Sequence, residues 1–114
     1  MTVLYGIKNC DTVKKARAWL ESHGVDYRFH DFRVDGLAAE QVRGWLAEVG
    51  DATLINRRGP SWRKIPESER EGADSEQLVA LSVTHPTIIK RPVLDLGDRR
   101  VVGFSEAGYR ELFP

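Results

Sequence analysis

Residues 3–16 read VLYGIKNCDTVKKA, and this stretch decides the fold. Its apolar start with an aromatic residue predicts a strand, Gly6 breaks that strand, and a helical pattern begins at Thr12. The only cysteine of the chain, Cys10, therefore lies at or just before a helix N-terminus.

This position favours chemistry at the Cys10 sulfur. Unpaired backbone N–H groups and the positive end of the helix dipole favour a thiolate over a thiol there. Lys8, Lys14 and Lys15 add positive charge nearby, whereas Asp11 opposes it. We therefore expect a thiol pKa below its ordinary value. The alternative is that a lone cysteine is a small buried hydrophobe.

The rest of the chain predicts an α/β layered domain with a mixed sheet of about four strands. The alternating segment 26–32 completes a β-α-β unit with two parallel strands. A second helix ends at Gly50, and a third begins at Asp74, with Gln77 as a capping-box partner. A hairpin of segments 93–96 and 100–104 precedes a last helix capped by Ser105.

The length and composition of the chain exclude several classes of function. The 114 residues fit a single domain over 1–114, and 17 basic residues balance 17 acidic ones, so no global field recruits nucleic acid or an anionic membrane. No apolar stretch approaches the ~20 residues of a membrane span, and the N-terminus lacks a signal-peptide pattern. With one cysteine and no close ligand pair, we expect no internal disulfide, no metal site and a reducing, cytoplasmic location.

Three basic or rigid positions could converge on Cys10. Arg57 lies in a basic, Gly-Pro-broken segment, and Arg91 precedes Pro92 at the start of the third strand. An arginine offers a fixed fork of donors to a carboxylate or other oxyanion. A proline at a strand entrance can hold a cis peptide and expose backbone groups to a ligand. Taken singly, each arginine could equally be a solvated surface residue.

Four motifs stand in order along the chain: LYGIKNCDT at 4–12, Asn56-Arg57, IKRPVL at 89–94 and VGF at 102–104. Together they resemble the ArsC family. The family comprises glutaredoxin-linked arsenate reductases, Spx transcription regulators and YffB-type proteins. The resemblance covers essentially the whole chain and is closest to the YffB type. It implies a thioredoxin-like fold with a helical insertion between its two halves.

The resemblance also implies roles for individual residues. Cys10 matches the family's nucleophilic cysteine, Arg57 and Arg91 match anion-binding arginines, and Pro92 matches a cis proline. We add Lys8 as a further substrate-binding cation. Arsenate reductases carry a third arginine where this chain has VGF at 102–104, which makes arsenate a less favoured substrate.

The leading hypothesis is a glutathione-dependent monothiol reductase that works through a mixed disulfide. With no second cysteine, an external thiol must complete the reaction. We expect glutathione or another small thiol as partner, glutaredoxin as a candidate protein partner, no bound cofactor and a monomer. The alternatives are an Spx-like adaptor that binds the transcription machinery and an arsenate reductase proper. Spx regulators commonly carry a Cys-x-x-Cys switch, whose second position here is Val13.

Overall fold

The computed structural model describes all 114 residues. The strands are β1 (Val3–Gly6), β2 (Arg28–Asp31), β3 (Val93–Asp95) and β4 (Arg100–Val102). The helices are α1 (Asp11–Ser22), α2 (Phe32–Asp35), α3 (Ala39–Val49), α4 (Asp51–Leu54), α5 (Pro60–Arg63), α6 (Glu67–Arg70), α7 (Ser75–Thr84) and α8 (Glu106–Leu112). A 3₁₀ turn spans Pro86–Ile88.

The four strands form one mixed sheet in the order β2-β1-β3-β4. β1 runs parallel to β2, with Leu4 opposite Phe29, and antiparallel to β3, with Leu4 opposite Leu94. β3 and β4 form the antiparallel hairpin. The prediction of an α/β, thioredoxin-like fold with a mixed four-stranded sheet and a helical insertion is confirmed.

The chain divides into two compact units. The first unit comprises Met1–Asp35 and Arg91–Pro114, and it contains the sheet with α1, α2 and α8. The second unit is the segment Gly36–Lys90, which contains α3 to α7 and the 3₁₀ turn. The single domain over residues 1–114 stays a prediction.

The core of the first unit lies between the sheet and two helices. Its buried members come from β1, α1, β3 and α8, and they are Leu4, Ala16, Trp19, Leu20, Leu94 and Tyr109. The positions that α1 buries recur every three or four residues, which is the spacing of one helix face. Burial of each large side chain contributes about 1.5–3 kcal/mol, so this face fixes α1 on the sheet.

The second unit follows the helical pattern of the sequence. α3 buries Val42, Trp45 and Leu46, as predicted, and ends at Gly50. The predicted capping box of α7 is also present: Asp74 accepts from the Gln77 backbone N–H, and the Gln77 side chain accepts from the Asp74 N–H.

Several predicted boundaries were wrong for physical reasons. Segment 53–64, predicted as a short apolar patch followed by a basic loop, contains the end of α4 and all of α5. Helices of four residues are too short to show a periodic pattern. The last strand ends at Val102 rather than at Phe104, since Gly103 takes a positive φ of 87° that turns the chain out of the sheet.

None of the helices combines the length and the apolar character that a membrane span requires.

Tyr109 carries a buried hydroxyl that the core does not satisfy. Its side chain is 1% exposed, and its hydroxyl oxygen has no hydrogen-bond partner. Burial accordingly raises the pKa of the phenol. A buried polar group without a partner costs about 1–3 kcal/mol.

We therefore expect Tyr109→Phe to increase the free energy of unfolding by about 1 kcal/mol in urea denaturation. Tyr27→Phe is the matched control, because the Tyr27 hydroxyl accepts a hydrogen bond from Arg17 Nε at 3.1 Å. That control should lose stability. A loss of stability in Tyr109→Phe would contradict the assignment.

Candidate active site

Cys10 occupies the N-cap position of α1. Its backbone is extended, with φ −121° and ψ 124°, and its carbonyl accepts the Lys14 N–H at 2.9 Å to close the first helical turn. The side chain is half-buried and carries a free thiol. The sulfur therefore lies beside the backbone N–H groups that a helix N-terminus leaves unpaired.

Two contacts hold the segment between β1 and α1 in place. Gly6 packs so closely on α1 that a Cβ atom there would lie 2.7 Å from Val13 Cγ2. The Asp31 carboxylate at the end of β2 accepts the Lys8 N–H at 3.0 Å and the Arg33 N–H at 2.8 Å. Because Asp31 is 7% exposed, both hydrogen bonds are shielded from water. The Cys10 segment is therefore held on both sides.

The pKa of the Cys10 thiol is the net result of opposing effects. Burial is the largest effect and raises the pKa. The Val13 N–H, a hydrogen bond and the positive charge from Arg91, and the Thr12 N–H together outweigh burial and lower the pKa below its ordinary value. The Cys10 side chain makes no full capping hydrogen bond, so the two amides act on the sulfur mainly through their dipoles. The predicted lowering is confirmed.

The cause of the lowering differs in part from the sequence interpretation. The predicted contributions of the amides and of Arg91 are present. The predicted contributions of Lys8, Lys14 and Lys15 are not among the effects on the thiol, and all three lysines are exposed. Water screens an exposed ammonium more strongly than the half-buried Arg91 guanidinium. A substrate-binding role for Lys8 stays a prediction.

Arg91 is followed by a cis peptide bond to Pro92, as the sequence predicts. Pro92 is buried, and its carbonyl accepts the Gly103 N–H at 2.8 Å. This hydrogen bond ties the start of β3 to the end of β4. Arg91 therefore leaves from a fixed point of the sheet, and its approach to Cys10 does not depend on a mobile loop.

Arg57 lies in the second unit. Its guanidinium pairs with Asp51 at 2.9 Å and lies 5.4 Å from the ring centroid of Trp62. Together with Arg58 and Lys90 it lines a cavity of about 380 Å³. This clustering of three cations suits an anion, and the predicted role of Arg57 in substrate binding stays a prediction.

The last hairpin provides no further arginine to the thiol. Arg100 is directed to Asp95, with Nη1 3.4 Å from Oδ1, and Arg99 is exposed. Gly103 lies in segment 102–104, where the family resemblance predicts an arginine in arsenate reductases. The structure also contains no group of three or more His, Cys, Asp and Glu side chains that could hold a metal ion.

Asp31 is the site residue that the sequence interpretation missed. The alternating pattern of segment 26–32 predicts only that Asp31 lies in the second strand. A signal was present, because an acidic residue at the end of a strand parallel to β1 lies beside the segment that follows β1. The hydrogen bond from Lys8 could not be predicted, since it links residues 23 positions apart.

The fold and the Cys10–Arg91 pair define a thioredoxin-like protein with a single, activated thiol. Comparison with known proteins gives the family. Residues 5–112 match the model of the ArsC family, and the chain belongs to this family.

Several relatives cover almost the whole chain. An uncharacterized protein of Haemophilus influenzae is 37% identical, covering 99% of each chain. The global transcriptional regulator Spx of Listeria innocua is 28% identical, covering 100% of this chain and 88% of the regulator.

Solved structures agree with these relatives. A protein described as YFFB is 45% identical, with a TM-score of 0.96 and 100% of both chains covered. An arsenate reductase (ArsC) related protein from Brucella melitensis is 46% identical, with a TM-score of 0.78, covering 98% of this chain and 93% of that one.

The contribution of Arg91 to the thiol can be measured by alkylation. Because the pKa is lowered, the alkylation rate should rise with pH at lower values than for a free thiol. Arg91→Ala should move this rise to higher pH and slow alkylation roughly tenfold below the ordinary thiol pKa, because a charge-assisted hydrogen bond is lost. Arg91→Lys should restore part of the rate. An unchanged pH profile in Arg91→Ala would contradict the assignment.

The positioning role of Asp31 can be distinguished from the effect of its negative charge on the thiol pKa. Removal of a nearby negative charge alone would lower the thiol pKa. If Asp31 instead positions the Cys10 segment, Asp31→Ala should raise the pKa, because the sulfur loses its fixed place beside the Val13 N–H. Asp31→Asn keeps one acceptor oxygen and should have a smaller effect. Titration of the thiolate absorbance gives the thiol pKa and so distinguishes the loss of charge from the loss of positioning. A lowered pKa in Asp31→Ala would contradict the positioning role.

Proposed function

We propose that the protein is a monothiol reductase in which Cys10 exchanges with glutathione mixed disulfides. The observation that supports it is the contact between the sole cysteine and Arg91 at the N-terminus of α1, with a lowered thiol pKa. The thiolate is the nucleophile of thiol–disulfide exchange, and it must be accessible. The lowered pKa of Cys10 favours the thiolate, and the side chain is half-buried rather than enclosed.

The proposed reaction has two exchange steps. The Cys10 thiolate attacks the glutathione sulfur of a mixed disulfide R–S–SG, which forms Cys10–S–SG and releases R–S⁻, which then takes up a proton. A second glutathione thiolate attacks the glutathione sulfur of the adduct and forms glutathione disulfide, which returns the Cys10 thiolate. In the net reaction R–S–SG and glutathione give R–SH and glutathione disulfide, so the incoming glutathione thiol is the reductant, and the glutathionyl sulfur of the substrate stays at the disulfide level throughout.

Arg91 has two roles in this proposal. It stabilises the thiolate before attack and after the second step, and the planar donor fork of a guanidinium suits a carboxylate of glutathione. The predicted contribution of Arg57 to anion binding is part of the same proposal. The basic cavity that Arg57 shares with Arg58 and Lys90 supports a role in binding an anion.

Arsenate reduction is less favoured as the activity of this chain. A relative 46% identical is described as an arsenate reductase (ArsC) related protein, which supports the thiol chemistry in general. Within the first unit, however, Arg91 is the arginine beside the sulfur, and Arg100 is paired with Asp95. A multiply charged oxyanion needs more positive charge in its site than a disulfide does.

An Spx-like adaptor is the second candidate function. It is favoured by 28% identity to a global transcriptional regulator over the whole chain. This function would act by binding to the transcription machinery and would not require the thiol of Cys10. The two candidates therefore differ in whether a stoichiometric adduct at Cys10 is part of the activity.

The proposal is tested with the mixed disulfide of glutathione and 2-mercaptoethanol. We expect a single glutathione adduct on the intact protein by mass spectrometry and release of 2-mercaptoethanol with glutathione as reductant. Cys10→Ser should abolish both, because the chain has no second cysteine. Stability should change little, because Cys10 is half-buried and makes no full capping bond.

The arginines are tested in the same assay. Arg91→Ala should reduce turnover roughly ten- to a hundredfold, the effect of one lost charge-assisted hydrogen bond. Arg57→Ala should also reduce turnover if it binds a carboxylate of the substrate. Arg110→Ala is the matched control, because Arg110 is an exposed arginine of α8. Absence of any adduct on the wild-type protein would contradict the reductase and leave the adaptor as the better candidate.

A further inference from the structure

A groove of about 820 Å³ runs along α1 in the first unit. One wall is a stripe of α1 that extends from Thr12 to His23, and the other is formed by Phe104 to Glu106 at the start of α8. The volume falls within the range of small-molecule sites. None of the residues predicted from the sequence as a site residue lines this groove.

The groove begins at the candidate active site. Thr12 lines the groove, and the backbone N–H of the same residue acts on the Cys10 sulfur. The stripe from Thr12 to His23 covers 11 residues of helix, about 16 Å at 1.5 Å per residue. A group bonded to the sulfur can therefore enter the groove at the Thr12 end and extend away from the sulfur.

The walls of the groove carry one positive and one negative side chain. Lys15 lies one turn of helix beyond Thr12, and Glu106 lies on the opposite wall. Both are exposed, and neither forms an ion pair within the chain. Two unpaired, opposite charges that face one groove suit a ligand that carries an ammonium and a carboxylate on one carbon.

The aromatic residues shape the remainder of the groove. Trp19 is 5% exposed and lies beneath its middle. The His23 ring stacks on Trp19 with centroids 3.8 Å apart, and its Nδ1 lies 2.8 Å from the Trp19 carbonyl oxygen. The stacked rings of His23 and Trp19 therefore form the far end of the groove.

We infer that this groove binds the γ-glutamyl arm of a glutathionyl group bonded to Cys10. This inference rests on the proposed function. The γ-glutamyl residue is linked through its side-chain carboxyl, so its free α-ammonium and α-carboxylate stay together at the end of the arm. Seven bonds separate the cysteinyl sulfur from the α-carbon at that end, roughly 9 Å when extended. Lys15 is five residues beyond Cys10, ~7.5 Å along the helix, which is within this reach.

In this arrangement Lys15 binds the α-carboxylate and Glu106 binds the α-ammonium. The two residues would distinguish glutathione from cysteinylglycine, which has the same thiol and glycine but lacks the γ-glutamyl arm. Arg91 acts on the sulfur itself, so the groove adds preference for the substrate without changing the chemistry of the thiol.

The test compares two mixed disulfides of 2-mercaptoethanol, one with glutathione and one with cysteinylglycine. The release of 2-mercaptoethanol is measured in single turnover, so that regeneration of the thiol does not enter. Lys15→Gln and Glu106→Gln should each lower the rate constant with glutathione about three- to fivefold, the effect of one solvent-exposed charge pair. Neither should change the rate constant with cysteinylglycine.

Lys14→Gln and Glu111→Gln are the matched controls, because both residues are exposed, lie on the same helices and do not line the groove. They make the same change of net charge, so the ratio of the two rate constants should stay at the wild-type value. If wild type reacts with neither mixed disulfide, the proposed function fails. If it reacts with both and Lys15→Gln and Glu106→Gln leave the ratio unchanged, the groove assignment is wrong while the proposed function stands.

Discussion

The close approach of β1 to the first turn of α1 is the constraint on which the site depends. Gly6 lacks the Cβ that would lie 2.7 Å from Val13 Cγ2, so the helix can begin beside the end of the strand. Val13 is fully buried by this contact, and its backbone N–H acts on the Cys10 sulfur. A larger residue at Gly6 would move the amide on which the thiolate depends. Packing in the core is thus coupled directly to the pKa of the thiol.

Sheet pairing explains why Arg91 meets Cys10 although the two are distant in sequence. Tyr5 near the end of β1 lies opposite Val93 at the start of β3, because the two strands are antiparallel. The residues just after β1 and just before β3 therefore leave the sheet at the same end. The parallel pairing of β1 with β2 places Asp31 opposite Gly6 at this end as well. One sheet end thus gathers the nucleophile, its cation and the carboxylate that holds the loop.

The sequence predicted those features that depend on local pattern. The strand–helix junction at Cys10 and the capping box of Asp74 have short-range signals, and the structure contains both. The cis bond before Pro92, which the family resemblance implies, is present as well. The sequence indicated Arg91 together with the nearer lysines, but it could not show which of these cations acts on the sulfur, because that depends on burial. The groove along α1 was missed for a related reason, since its second wall comes from the start of α8.

The balance of effects on Cys10 also suits exchange better than a single strong effect would. The nucleophilicity of a thiolate falls as its pKa falls, so the best attacking thiol has a pKa near ambient pH. Burial raises the pKa of Cys10, while the two amides and Arg91 lower it by more. A second guanidinium at the sulfur would increase the thiolate fraction, but it would also make the sulfur a weaker nucleophile. One arginine, opposed by partial burial, therefore raises the thiolate fraction while it limits the loss of nucleophilicity towards a disulfide.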